Sequence, residues 1–185
     1  MNALLASALT LAATASLLAA AAGYVGRREN LKRLAATCPA ALQYLPLADK
    51  WASVYGIPAE WILATIVVES CGNAQASGDQ GRSYGLMQVN ATAHASRLAR
   101  HKLTASDLYD PNANIMIGTE ILRELVDAIR AVTPDPPLRL DLLVRQAYRG
   151  PAATLAALRA RKSPVVYADT VAAWERTLAR GRALV

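Results

Sequence analysis

The chain has 185 residues, which suits one domain with a short additional segment. Its formal net charge at pH 7 is +6, and basic stretches at 27–33 and 145–185 flank a net acidic middle. A basic surface attracts any polyanion, but no zinc-finger spacing, P-loop or aromatic RNA-binding motif accompanies it. These features exclude the common nucleic-acid-binding classes, and we expect no nucleic-acid partner.

The two cysteines, Cys38 and Cys71, do not form a CxxC pair and have no cluster of histidines near them. A zinc site is therefore not indicated, and we expect neither a metal nor a cofactor. The pair is compatible with one disulfide in an oxidising compartment and equally with two small buried thiols. The sequence leaves both interpretations open.

Residues 3–25 carry no charge and are numerous enough to span a bilayer as a helix. Small residues at 20–22 offer a cleavage site before Gly23, but the positive cluster at Arg27 and Arg28 follows the apolar stretch instead of preceding it. Three interpretations remain: a cleaved signal peptide, an uncleaved membrane anchor, and a segment packed in a larger assembly.

Downstream, apolar periodicity predicts a helix over 41–55 that Gly56 ends. The next helix is predicted to open near Pro58 and to run to about Ser70, with Gly72 in the left-handed conformation of its cap. A polar loop over 76–83 follows, and residues 84–89 are predicted to be extended.

Asn90 is predicted to cap a helix over 91–100, and Asp110 with Pro111 to open one that reaches about residue 131. Three further helices are predicted, over 138–148, 151–161 and 167–180. The predicted fold class is mainly α, with a small irregular or β element after the helix that ends near Ser70.

Glu69 is the main candidate for chemistry. On the helix from Pro58 it shares a face with Ile62 and Ile66, so a carboxyl ends an apolar stripe. Apolar neighbours and a helix C-terminus both favour the protonated carboxyl, which a general acid needs near neutral pH. For an isolated glutamate, a partly exposed residue at a frayed helix end would be the simpler interpretation.

The surrounding motifs favour the catalytic interpretation. They are Glu69-Ser70, the polar loop 74–83, Gly85-Leu86-Met87-Gln88, the run 110–115 (DPNANI) with Gly118, and the run 147–151 (AYRGP). In this order they resemble the soluble lytic transglycosylases and goose-type lysozymes, over about residues 45–180. The resemblance implies a lysozyme-like α+β fold that acts on peptidoglycan glycan strands.

The resemblance implies that Glu69 protonates the linkage oxygen between N-acetylmuramic acid and N-acetylglucosamine. In a transglycosylase it then accepts a proton from the sugar's 6-hydroxyl, which closes a 1,6-anhydro ring. The residues expected to bind substrate are Ser70, Asp79, Tyr84, Gly85, Met87, Gln88, Tyr148 and Arg149.

Individual roles follow from the same resemblance. Ser70 would hydrogen-bond the glutamate or the sugar, and Gly85 would let the backbone approach the glycan where a Cβ would intrude. Met87 and Gln88 would line the floor and contact N-acetyl groups. Tyr148 would point its hydroxyl at the catalytic carboxyl, although core packing is an equal alternative for Met87 and Tyr148.

Two departures from the family pattern matter. Arg149 stands where the family usually has asparagine, so amide recognition is replaced by a cation that suits a lactyl or stem-peptide carboxylate. Asp79 resembles the goose-type pattern and is a candidate base for an inverting hydrolase, with a turn aspartate as the simpler interpretation. The further acid of goose-type enzymes is replaced by Asn90, which favours a transglycosylase.

The predicted organisation is a signal peptide or membrane anchor over 1–26, a lead-in helix over 27–44 and the catalytic domain over 45–185. We expect export to the periplasm or cell envelope, with membrane association through residues 3–25 as one form of it. The alternatives are a virion or secretion-machine component that opens the wall locally, and a non-catalytic wall-binding protein of the same fold.

Overall fold

The computed structural model describes residues 27–133 and 140–160. Residues 27–37 are helical (α1), a 3-10 helix covers Pro39–Tyr44, and α2 covers Leu45–Tyr55.

The helix predicted over 41–55 is thus divided at Leu45. Pro46 lies in the first turn of α2, where a backbone N–H would have no hydrogen-bond partner within the helix, so the missing N–H of proline costs nothing. Gly56 ends α2 in the left-handed conformation, with φ of 63°, so the predicted end of the helix is confirmed.

Helix α3 covers Ala59–Ser70, directly after Pro58, as predicted. Its residues 59 and 61–67 are buried, so α3 is the central helix of the core and holds Glu69 in its last turn. Cys71 and Gly72 leave the helix in left-handed conformations, with φ of 45° and 78°. A Cβ on Gly72 would come within 2.9 Å of the Ala40 backbone, so glycine permits this close approach.

A small antiparallel sheet follows α3. Strands β1 (Ser77–Gly78), β2 (Ser83–Tyr84) and β3 (Val89–Asn90) pair in the order β1-β2-β3. The prediction of one continuous extended segment over 84–89 is wrong, because residues 85–88 form a turn between β2 and β3.

The second half of the chain is helical. It contains α4 (Ala95–Arg100), a 3-10 helix (Ser106–Tyr109), α5 (Pro111–Val132), α6 (Leu140–Arg149) and α7 (Pro151–Arg159). Helix α5 packs against α2, α6 and α7.

Both predicted caps of this half make hydrogen bonds. The Asp110 carboxylate accepts from the Ala113 amide at 2.8 Å and caps α5 as predicted. Asn90 accepts from the Ala93 amide at 2.9 Å, but this closes a turn, and α4 begins only at Ala95.

The predicted leader over 1–26 and the predicted helix over 167–180 lie outside the described residues. Within the described ranges, no helix combines the length and apolar character needed to cross a bilayer. Leu34, Cys38 and Ala41 of the lead-in segment belong to the same hydrophobic core as α3 and α5. The domain boundaries drawn from the sequence stay predictions.

Cys38 and Cys71 are joined by a disulfide, which decides between the two interpretations that the sequence left open. The bond ties the lead-in segment to the residue that follows Ser70, two positions after Glu69. The Tyr44 hydroxyl adds a bond to the Gly72 carbonyl at 3.2 Å. The end of the central helix is therefore held covalently against the start of the domain.

Replacing both cysteines by serine should lower the free energy of unfolding. The disulfide closes a sequence separation of 33 residues, and loop-closure entropy gives a loss of about 3–4 kcal/mol. Urea unfolding of the double variant measures it, and wild type unfolded in reducing buffer should match the variant. A double variant as stable as the oxidised wild type would contradict a stabilising role for the bond.

Candidate active site

A cleft of about 820 Å³ runs between the small sheet and the helices of the second half. It is lined by Glu69, Asp79, Ser83, Gln88, Val89, Asn90, Ala93, His94, Arg97, Ile121, Glu124, Leu125, Ala128, Ala147, Tyr148, Arg149 and Pro151. Five of the predicted site residues, Glu69, Asp79, Gln88, Tyr148 and Arg149, are therefore brought together in one groove.

Glu69 reaches the cleft from the last turn of α3, and its side chain is 20% exposed. The Arg145 guanidinium donates from Nη1 to Glu69 Oε1 at 2.6 Å, and the Arg145 side chain is only 4% exposed. Charge-assisted bonds of this kind are the strong ones in proteins and fix the orientation of the carboxyl. Apolar neighbours and the helix end were expected around Glu69 from the sequence, and this cation was not.

Arg145 was missed because it lies 76 positions after Glu69 in the chain. The structure shows what the sequence could not: Arg145 and Asp141 are buried on α6, a helix whose other buried residues are mostly apolar. Buried charges are rare unless they are paired. A buried arginine three residues before Tyr148 therefore points to a partner acid in the site.

Tyr148 also comes from α6, one turn after Arg145. Its hydroxyl donates to the Met87 carbonyl at 2.8 Å, and its predicted role towards the catalytic carboxyl stays a prediction. Burial, and then the nearby negative charge of Glu69, raise the pKa of Tyr148. The hydroxyl therefore stays protonated and acts as a donor that fixes the turn after β2.

Asn114 of α5 organises that turn and was not predicted as a site residue. It is fully buried, and its Nδ2 donates to the carbonyls of Tyr84 and Leu108, each at 2.8 Å. Its Oδ1 accepts from the Met87 amide at 2.8 Å. One side chain thus satisfies three backbone groups of two loops, which unpaired would be costly to bury.

Gly85 serves this packing. Its φ is 70°, and a Cβ would come within 2.2 Å of the Leu108 carbonyl and 2.4 Å of Asn114 Nδ2. A side chain here would strike the protein itself, which explains the glycine without the predicted approach of the glycan.

Met87 is also placed differently from the prediction. Its side chain is fully buried, and a Cβ added to Gly118 would come within 2.3 Å of the Met87 sulfur. The predicted floor contact with N-acetyl groups is therefore wrong for this side chain. Gly118 of the sequence motif makes room for Met87 in the core.

Ser70 and Tyr84 support the site from outside the cleft. The Ser70 hydroxyl donates to the Leu86 carbonyl at 2.8 Å, so the predicted bond to glutamate or sugar is replaced by a tie to the turn. Tyr84 packs edge-on against Tyr109, with 5.4 Å between ring centroids. Neither lines the cleft in the described structure.

Gln88 lines the cleft, and its backbone is left-handed, with φ of 48°. Its Nε2 donates to the carbonyls of Ala76 at 3.2 Å and Gly85 at 2.9 Å. These bonds hold the amide across the small sheet.

Asp79 combines the two interpretations that the sequence offered. It is exposed and lines the cleft, but its Oδ2 accepts a short bond from the Ser83 hydroxyl, and its carbonyl accepts from Arg82 Nε at 2.9 Å. The carboxylate is thus engaged with its own loop.

The far wall of the cleft contains three polar residues that the sequence analysis missed: His94, Arg97 and Glu124. Arg97 is buried and pairs with Glu124 and with Glu120, the latter at 3.5 Å. Burial, and then the Arg97 charge, lower the pKa of His94, so this imidazole is neutral at neutral pH. His94 and Arg97 are three residues apart, and Glu120 and Glu124 are four apart, which is the spacing of neighbours on one helix face. This spacing of charged and polar residues is the sequence signal that could have pointed to the far wall.

The described parts of the chain contain no cluster of three or more His, Cys, Asp or Glu side chains placed to hold a metal ion. The polar groups of the cleft are carboxyl, guanidinium, amide, imidazole and phenol. Together they suit hydrogen bonding and proton transfer to a polar ligand.

A mainly helical domain, with a small antiparallel sheet beside a glutamate at a helix end, is the architecture of the lysozyme-like proteins. Residues 46–162 match the family model described as the transglycosylase SLT domain. The chain belongs to this family.

The chain is 31% identical over 120 residues to the endo-type membrane-bound lytic murein transglycosylase A of Citrobacter koseri, covering 62% of this chain and 59% of the relative. It is 30% identical over 120 residues to the protein with the same name from Salmonella paratyphi B, again covering 62% of this chain and 59% of the relative. The chain therefore spans about three fifths of the length of the curated relatives that it matches.

Replacing Asn114 by alanine should destabilise the domain strongly. It leaves two carbonyls and one amide without their partner, at roughly 1–3 kcal/mol each if they stay buried. Chemical denaturation should show a loss of about 3 kcal/mol or more. Asn112→Ala is the matched control: it is on the same helix but half-buried, accepting from Trp51 and Lys50 at 3.1 Å. Equal losses for the two variants would contradict the role given to Asn114.

Proposed function

We propose that the chain cleaves the β-1,4 bond between N-acetylmuramic acid and N-acetylglucosamine in peptidoglycan, by lytic transglycosylation with Glu69 as its single acid and base. The observation that carries this proposal is a glutamate held at the end of a buried helix, partly exposed to a polar cleft and oriented by a buried guanidinium. Membership of the SLT family and the names of the relatives, lytic murein transglycosylases, support the choice of substrate.

In the first step Glu69, once it has bound a proton and is no longer the charged partner of Arg145, gives that proton to the linkage oxygen while the bond from the oxygen to C1 breaks. The Arg145 guanidinium stabilises the carboxylate that this leaves. In the second step the carboxylate takes the proton of the muramyl 6-hydroxyl, whose oxygen bonds to C1 and closes the anhydro ring. This nucleophile belongs to the same sugar, so no free water has to be positioned.

Asp79 is the observation that favours a second candidate, an inverting hydrolase. Such an enzyme needs a second carboxylate that activates water on the far face of the sugar. Asp79 lines the same cleft as Glu69, yet it already accepts the Ser83 hydroxyl. That engagement, with Asn90 in place of a further acid, favours the transglycosylase.

We also propose that the chain works outside the cytoplasm. The disulfide Cys38–Cys71 supports an oxidising compartment. The uncharged residues 3–25 are the candidate for export or anchoring.

Glu69→Gln should remove nearly all lytic activity. The amide still accepts from Arg145, but it cannot supply or take the proton, and general acid–base catalysis is worth about 100-fold or more. Clearing of purified peptidoglycan measures the loss. The variant should also unfold more easily, because the buried guanidinium loses its counter-charge. Its activity must therefore be measured under conditions in which circular dichroism shows that the variant is folded.

Glu60→Gln is the control for this prediction. Glu60 lies in the first turn of the same helix, is partly buried and pairs with Arg27 at 3.6 Å. It should retain activity within about twofold, as substitutions remote from a site usually do. A folded Glu69→Gln that clears peptidoglycan at the wild-type rate would show that Glu69 is not the acid.

Asp79→Asn should reduce activity only modestly, within about fivefold, because the amide can keep most of the loop's hydrogen bonding. Asp107→Asn is the matched control, since this exposed carboxylate accepts from Thr104 in its own loop at 2.7 Å and lies away from the cleft. If Asp79→Asn is as damaging as Glu69→Gln while Asp107→Asn is not, Asp79 is the base of a hydrolase.

Deleting residues 3–25 should leave the protein in the cytoplasm, where it cannot reach the wall. Lysis in vivo should then be lost, while oxidised, purified protein should clear peptidoglycan as the full chain does. Cell fractionation and the clearing assay together measure this. A full-length protein found wholly in the cytosol would contradict the proposal, unless a separate pore or a virion delivers it.

A further inference from the structure

His94 lies immediately before α4, on the far wall of the cleft that holds Glu69. We propose that His94 accepts a hydrogen bond from a neutral group of the bound glycan, a hydroxyl or an acetamido N–H, and so forms a sugar-binding subsite close to the reacting bond. This inference rests on the proposed function and names a substrate contact that the mechanism above does not use.

The imidazole of His94 has hydrogen-bonding capacity to spare. The residue is half-buried, and among the residues that the structure describes its ring nitrogens have no hydrogen-bond partner. By contrast, Glu69, Asp79 and Tyr148 of the same cleft each have a partner within the protein. A polar ring that is partly removed from water gains stability from any ligand that bonds to it.

The charge state of the His94 ring depends on its neighbours. Burial, and then the positive charge of Arg97, lower the pKa of His94, and the acids Glu124 and Glu120 oppose this with smaller effects. The ring is therefore neutral at neutral pH, and a neutral imidazole has one N–H donor and one bare nitrogen that accepts. The guanidinium of Arg97, on the same wall, can only donate.

Apolar side chains line the cleft on the helix that carries Glu124. Ile121, Leu125 and Ala128 have the spacing of one face of α5. Sites for neutral ligands combine apolar surface of this kind with a few polar groups that fix the orientation of the ligand. A sugar ring offers an apolar face and hydrogen-bonding groups around its edge, so it matches this wall better than a charged group does.

The far wall is close to the reacting groups. Burial and then the charge of Glu69 raise the pKa of Tyr148, whereas positive charges that include Arg97 lower it. Glu69 and Arg97 are thus both near enough to act on Tyr148, and His94 precedes Arg97 by about one helical turn. A strand whose linkage oxygen reaches Glu69 is therefore expected to pass the far wall with the same sugar or its neighbour.

The first experiment follows the imidazoles of the full, oxidised chain by NMR while a tetramer of N-acetylglucosamine is added. The chain has two histidines, so His101→Gln identifies the signals. His101 is the internal control, because it bonds to Glu120 at 2.7 Å and does not line the cleft. We expect the tetramer to shift the His94 signals and to leave those of His101 in place.

The same titration measures which form of the ring binds. A ligand that donates to the bare nitrogen binds the neutral ring and not the cation, so the tetramer should lower the pKa of His94 further. Affinity for the tetramer should accordingly fall as the pH is lowered through the pKa of His94. A pKa of His94 that rises on binding would overturn the proposal.

The second experiment measures cleavage of purified, soluble glycan strands by His94→Leu, His94→Gln and the matched control His101→Leu. His94→Leu should raise KM about 10-fold, as loss of one partner of a hydrogen bond away from water does, with kcat changed less than about twofold. His94→Gln, whose carbonyl can still accept, should recover most of the affinity. His101→Leu should match wild type within about twofold, and equal increases in KM for the two leucine variants would overturn the proposal.

A glucose tetramer, which lacks acetamido groups, identifies the donor. A His94 response that includes this tetramer assigns a hydroxyl, and a response to the acetylated tetramer alone assigns the acetamido N–H; either supports the proposal. A His94 signal that responds to neither tetramer overturns the inference, even if the anhydro product forms. A wild type that yields no anhydro product from peptidoglycan contradicts the proposed function, whatever His94 does.

Discussion

The ion pair between Glu69 and Arg145 joins the two helices on which the candidate site depends. Arg145 is 4% exposed, and a guanidinium so far from water needs an opposing charge. Glu69 supplies it from the end of α3, so the residue proposed for catalysis also stabilises the packing of α6. The pair holds the carboxyl at the edge of the cleft and ties α6, which carries Tyr148 and Arg149, to the end of α3.

Local signals in the sequence predicted most of the helices. Gly56 ends α2, Pro58 precedes α3, and Asp110 caps α5, because each of these residues acts on the backbone within a turn of itself. The turn over 85–88 was missed, since its left-handed residues include Gln88, whose conformation is stabilised by bonds to other parts of the chain.

The interior of the site depends on distant contacts, which the sequence could not show. Asn114 belongs to the motif run 110–115 but was given no role in the site, yet it holds the turn that carries Met87 through three hydrogen bonds. A motif resemblance found Gly85 and Met87 but assigned them to the substrate, whereas packing against Leu108 and Gly118 explains both. Motif residues can thus be needed for the fold of a site without touching its ligand.

The central claim is that Glu69 acts with the muramyl 6-hydroxyl as nucleophile in place of water. Digestion of purified peptidoglycan in water enriched in heavy oxygen, followed by mass spectrometry of the products, tests it most directly. We expect 1,6-anhydro products that are one water lighter than hydrolysis products and contain no heavy oxygen. Reducing-end products that carry the heavy isotope would contradict it and would identify a hydrolase.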